Sequence, residues 1–122
     1  MFYYIEFLVL LQLKHFIFDF CLQSTSMIHG KKTYGNLYSI QHSLYHGVGT
    51  ALVSFLFLPI NIVALVAIID FVAHYHIDYF KSKCVSNGYE DKRFWIWFGL
   101  DQFLHQLTYI ILLALAVWGS AS

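Results

Sequence analysis

Four apolar stretches alternate with short polar ones along the chain. The first runs from about Phe2 to Leu22 and carries Phe, Tyr, Leu and Ile around nearly its whole circumference, the pattern of a helix facing lipid. The second runs from about Ser39 to Leu58, where the single proline opens LPIN, and the third from about Ile60 to Phe80. A Pro-Ile-Asn break between two apolar runs predicts a tight helical hairpin. The fourth runs from about Phe94 to Trp118 and is entered through RFWIWF, an aromatic cluster suited to a membrane interface. Each stretch is near the roughly 20 residues that cross a hydrocarbon core. The pattern predicts one all-α domain over residues 1–122, an up-down bundle of four transmembrane helices. The first stretch lacks the basic start and small-residue cleavage site of a secretory signal, so it is expected to be retained.

Composition agrees. Of 122 residues, 59% are hydrophobic and 11% charged, with mean hydropathy +0.62, outside the usual range of a water-soluble domain of this size. Formal net charge is zero, which offers no global attraction to nucleic acid. Where the charges fall is more telling. GKKTYGN (30–36) and KSKCVSNGYEDKR (81–93) hold six of the seven basic residues, and a four-pass serpentine puts both loops on one side. The positive-inside bias then places them in the cytoplasm and both termini outside. Cys21 and Cys84 fall near that reducing side and have no CxxC partner, so no disulfide is expected.

The polar residues within the apolar stretches repeat at one spacing. They are His15, Asp19 and Gln23 in the first, His42 and His46 in the second, Asp70, His74 and Asp78 in the third, and Asp101 and His105 in the fourth. Side chains at i and i+4 share a helix face, so each helix has one polar stripe. His15 and Asp19 come late in an inward helix, His42 and His46 early in an outward one, and the other two pairs repeat this alternation. All four pairs therefore meet roughly one to three turns below the cytoplasmic surface.

Burying a central Asp costs roughly 2.5–3.5 kcal/mol, so such a layer demands compensation from a metal cluster, a water-filled path or a hydrogen-bonded network. His and Asp are the donor set of zinc, manganese or iron. The candidate ligands are His15, Asp19, His42, His46, His74, Asp78, Asp101 and His105; they exceed the needs of one tetrahedral ion and would serve two. Zinc leads among these metals, and Asp19, Asp78 and Asp101 are the candidate catalytic carboxylates. Asp70 lies deeper and would orient His74, relay protons or cap the interior. Gln23, Gln41 and Gln102 fit supporting or substrate contacts, because an amide binds transition metals weakly. Lys81 sits where a lysine snorkels or meets an anionic headgroup. His76 points off the stripe, His29 falls in a loop, and Lys14 fits only snorkelling or pairing with an acid.

The series His15-x3-Asp19-Phe20-x2-Gln23, His42-x3-His46, His74-x3-Asp78-x2-Lys81 and Asp101-Gln102-x2-His105 resembles the domain-of-unknown-function 3307 family, small membrane proteins of bacteria and phages. The resemblance covers almost the whole chain and implies an architecture and a set of positions. The chain also distantly resembles membrane-bound metal-dependent hydrolases, which share a multi-pass helical layout with His and Asp in their helices. Nucleophile elbow, phosphate-binding Gly loop and dinucleotide fingerprint are absent from the sequence, and a water activated by metal needs none of them. The leading expectation is therefore a metal-dependent hydrolase of the bacterial inner membrane, acting on a lipid or lipid-linked substrate at the cytoplasmic leaflet. A proton or metal-ion transporter and a structural interaction protein are the alternatives. A homo-oligomer would shield the site better than a single bundle.

Overall fold

The computed structural model describes residues 2–86 and 88–121. The chain is all-α, with helices α1 (Phe2–Phe16), α2 (Thr25–Gly30), α3 (Leu37–Phe55), α4 (Ile60–Cys84) and α5 (Lys92–Ala121). Strong local signals set the boundaries. Ser24 caps α2 by accepting from the Met27 amide, and Asn36 caps α3 by accepting from Tyr38 and Ser39. Gly35, at φ 84°, makes the left-handed turn before Asn36. Pro59 opens α4, where its missing N–H costs nothing. Asp91 accepts from the Arg93 amide to start α5.

One departure from the apolar pattern matters for the site. The first stretch does not continue as α-helix to Leu22; from Ile17 to Cys21 it widens into a π-turn that contains buried Asp19. The Leu22 amide bonds Ile17 O at 2.9 Å, five residues back. Such turns re-aim side chains and recur at functional sites.

The long helices form a ring in which α1 packs on α3, α3 on α4, α4 on α5 and α5 back on α1. Small residues let α3 approach closely: a Cβ on Gly47 would stand 3.0 Å from Phe71 Cβ and 3.2 Å from Ala67 O. Burial is inverted relative to a water-soluble bundle. Leu13, Phe16, Leu52, Ile68, Phe103 and Ile110 face outward, while His15, His42, His46, Asp70, His74, Asp78, Asp101 and His105 are buried. One half of the interior is apolar, built from Phe7, Leu11, Ile62, Val66, Leu112 and neighbours; the other half is polar. Among the described residues two helices, Ile60–Cys84 and Lys92–Ala121, are long and apolar enough to cross a membrane. α3 falls short because two His, three Ser and a Thr dilute its apolar residues, and α1 because the π-turn ends it early.

Candidate metal centre

The polar half is organised around Asp19. Its Oδ1 lies 3.0 Å from His42 Nε2, 2.8 Å from His46 Nε2 and 3.3 Å from His74 Nε2, and its Oδ2 lies 3.3 Å from His15 Nε2. Four imidazoles from three helices thus converge on one carboxylate at the π-turn. From there the cluster continues across α4 and α5. Asp78 Oδ2 is 3.3 Å from His74 Nε2 and 3.6 Å from His42 Nε2, and its Oδ1 is 3.2 Å from His105 Nε2, which in turn lies 3.5 Å from Asp101 Oδ1. Among the described residues three buried sets have ligand atoms within 4.8 Å of one another and could hold a metal ion: His15, Asp19, His46 and His74; His42, His74 and Asp78; Asp78, Asp101 and His105.

Hydrogen-bond bookkeeping sorts these residues. Lys14 Nζ donates to Asp70 Oδ2 at 2.7 Å, to Tyr109 Oη at 3.1 Å and to His46 Nδ1 at 3.2 Å. A lysine ammonium only donates, so His46 Nδ1 accepts and its Nε2–H is left to donate to Asp19. Tyr109, having accepted from Lys14, donates to His15 Nδ1 at 3.0 Å. His15 Nε2–H then donates to Gln102 Oε1 at 3.0 Å, and Gln102 Nε2 donates to Asp101 Oδ2 at 3.0 Å. Every link has one donor and one acceptor, which assigns the tautomers of His15 and His46. Neither has a free Nε2 lone pair for a metal.

His42 and His74 differ. Their Nε2 atoms face each other at 3.2 Å while both face Asp19. Two N–H groups cannot both point into that space. At least one presents a lone pair, and among the described residues His74 Nδ1 has no hydrogen-bond partner, while Asp101 Oδ1 has only the 3.5 Å approach of His105 Nε2. A donor set with lone pairs turned inward fits a cation.

The surrounding side chains differ in their involvement. Asp70 does not orient His74; it pairs with Lys14 and accepts from Thr50 Oγ1 at 2.5 Å, which accounts for Lys14 in mid-helix. Lys31 Nζ lies 2.8 Å from Asp78 Oδ2, and Lys81 Nζ is 4.0 Å from Asp101 Oδ2. Burial alone would push the Lys31 ammonium down, but Asp78, with Asp19 and Asp101 behind it, outweighs burial and holds it above the ordinary lysine value. Gln102 bridges His15 and Asp101, whereas Gln23 bonds the Asp19 carbonyl of its own segment. Gln41 is exposed on Tyr45, away from the layer, and His76 pairs outside with Tyr34 and the Val72 carbonyl. Tyr109 and Thr50 were not among the sequence candidates, yet each extends a stripe by four residues, Tyr109 after His105 and Thr50 after His46. Lys31 had no such signal.

No curated protein and no solved structure matches the chain. The family described as Protein of unknown function (DUF3307) matches residues 7–122, nearly the whole chain, and the protein belongs to that family.

Proposed function

We propose that the protein is a metal-dependent hydrolase of the bacterial inner membrane, with four spans, both termini outside and its polar layer near the cytoplasmic leaflet. The apolar outer faces of the helices and the gathering of the basic loops at the polar end support that placement.

One observation carries the metal. His42 Nε2, His74 Nε2 and Asp19 Oδ1 form a triangle with sides of 3.2, 3.0 and 3.3 Å. The same His42–His74 edge forms a second triangle with Asp78 Oδ2, whose other sides are 3.6 and 3.3 Å. Bonds of about 2.0–2.1 Å in a tetrahedron set donors about 3.3–3.4 Å apart, so these separations suit zinc. The reading selects His42, His74, Asp19 and Asp78 as ligands, with His46 orienting Asp19 through its Nε2–H. An ion there would supply Lewis acidity, polarising an ester oxygen and acidifying a water. Asp101, whose Oδ2 accepts from Gln102 and whose Oδ1 lies 3.5 Å from His105 Nε2, would take the water proton. Hydrolysis then joins the water oxygen to phosphorus or acyl carbon as the ester bond breaks, and the leaving oxygen takes up a proton.

The hydrogen-bonded run from Lys14 to Asp101 favours a second reading, a proton path. The apolar half, with Phe7, Leu11, Val66 and Leu112, stands against a conduit through the bundle. Protein purified in detergent is expected to carry stoichiometric metal by plasma mass spectrometry, with His74→Ala losing it and His76→Ala keeping it. It should also release product from a phospholipid mixture. Absence of metal in the parent, or equal losses in the two variants, ends the metal reading. Metal-driven or pH-driven flux in liposomes without lipid turnover replaces hydrolysis by transport.

A further inference from the structure

A cavity of about 600 Å³ opens at the polar end of the bundle, with Asp19 among its lining residues. Lys31, Lys32 and Lys81 contribute its charge, and Phe94 and Phe98 an aromatic wall. Cationic groups beside an aromatic and aliphatic surface are complementary to a molecule with an anionic head and an acyl tail. Lys81 already rests over the Phe98 ring, its Nζ 5.5 Å from the centroid, so its charge lies where head and tail would meet.

Lys31 connects this cavity to the metal centre. Its Nζ sits on Asp78 Oδ2, the oxygen that also faces His42 and His74. That oxygen can hold the ammonium or an ion, but the two cations repel one another at such range. We propose that the cavity binds the phosphate headgroup of a membrane lipid, and that metal at Asp78 displaces Lys31 toward that headgroup. The proposal rests on the metal reading above and specifies its substrate class, a phosphate-bearing acyl lipid. Metal and lipid then bind with positive coupling, because the first releases a cation that the second uses.

The test uses the full chain in detergent micelles, loaded with zinc or stripped by a chelator. It is titrated calorimetrically with short-chain phosphatidic acid, short-chain phosphatidylcholine and inorganic phosphate. One phosphatidic acid per chain is expected, with weaker binding of the zwitterionic lipid and of phosphate alone. Lys32→Gln together with Lys81→Gln should weaken phosphatidic acid binding about fivefold per lysine removed and leave zinc content unchanged. Lys31→Gln should weaken the lipid further and tighten zinc, since a competing cation is gone. Equal affinity for the two lipids, or parental affinity in the double variant, overturns the headgroup site; phosphate binding as tightly as phosphatidic acid overturns the lipid as its source. Lipid affinity unaffected by zinc overturns the Lys31 exchange. A parent that takes up no zinc defeats the metal reading instead, and the stripped protein still tests the cavity. Should Lys31→Gln fail to fold, the double variant decides the headgroup site and the comparison of loaded with stripped parent decides the exchange.

Discussion

The two halves of the bundle interior are held together by different physics. In the apolar half, Leu11, Val66, Leu112 and Ala116 are fully buried and interlock by shape alone. In the polar half, Asp19, Asp78 and Asp101 gather five imidazoles through directed contacts of 2.8 to 3.6 Å. Lipid tails are as apolar as leucine, so in the bilayer setting proposed above the first half would gain little from the hydrophobic effect and would rest on dispersion and close approach. In the second, losing one partner of a buried charge leaves the other uncompensated, which is costly. Lys14 marks the seam: it spans from Asp70 to Tyr109 and His46. The contrast teaches that packing builds the frame and that electrostatics fixes the orientation of the groups inside it.

Three single substitutions, one of them with a compensating partner, sharpen this contrast, in falling order of effect. Asp19→Ala removes the carboxylate on which four imidazoles converge and should cost about 3–5 kcal/mol, with bound metal falling to background by plasma mass spectrometry. Lys14→Met leaves Asp70 with only Thr50, at a cost of about 3 kcal/mol read from thermal unfolding in micelles; adding Asp70→Leu should return most of that loss. Leu112→Ala opens a void in the apolar half, costs about 2 kcal/mol and leaves metal stoichiometry at the parental value. If Leu112→Ala abolished metal binding while Lys14→Met did not, the separation of the halves would collapse.

Much of the site was legible in the chain itself. The fourfold spacing of His15 with Asp19, His42 with His46, His74 with Asp78 and Asp101 with His105 puts each pair on one face whatever the surroundings, because helix geometry alone requires it. The alternating early and late positions carry those pairs to one level in any serpentine. The same spacing rule reaches Tyr109, four residues after His105, and Thr50, four after His46. Gln41 shows the converse, a polar residue one step off the stripe that faces outward.

What the sequence determined by itself was periodic: helices, their apolar faces, the turns at Gly35 and Pro59, and the stripes that converge. These follow from backbone geometry and residue type over a few turns. Only the tertiary structure decided which groups pair. The π-turn that swings Asp19 toward α3, the partnership of Lys14 with Asp70 across 56 residues, the tautomers of His15 and His46, and the position of Lys31 on Asp78 all depend on distances between helices. A hydrogen bond or ion pair is set to a few tenths of an ångström, whereas sequence spacing places a side chain only on a face.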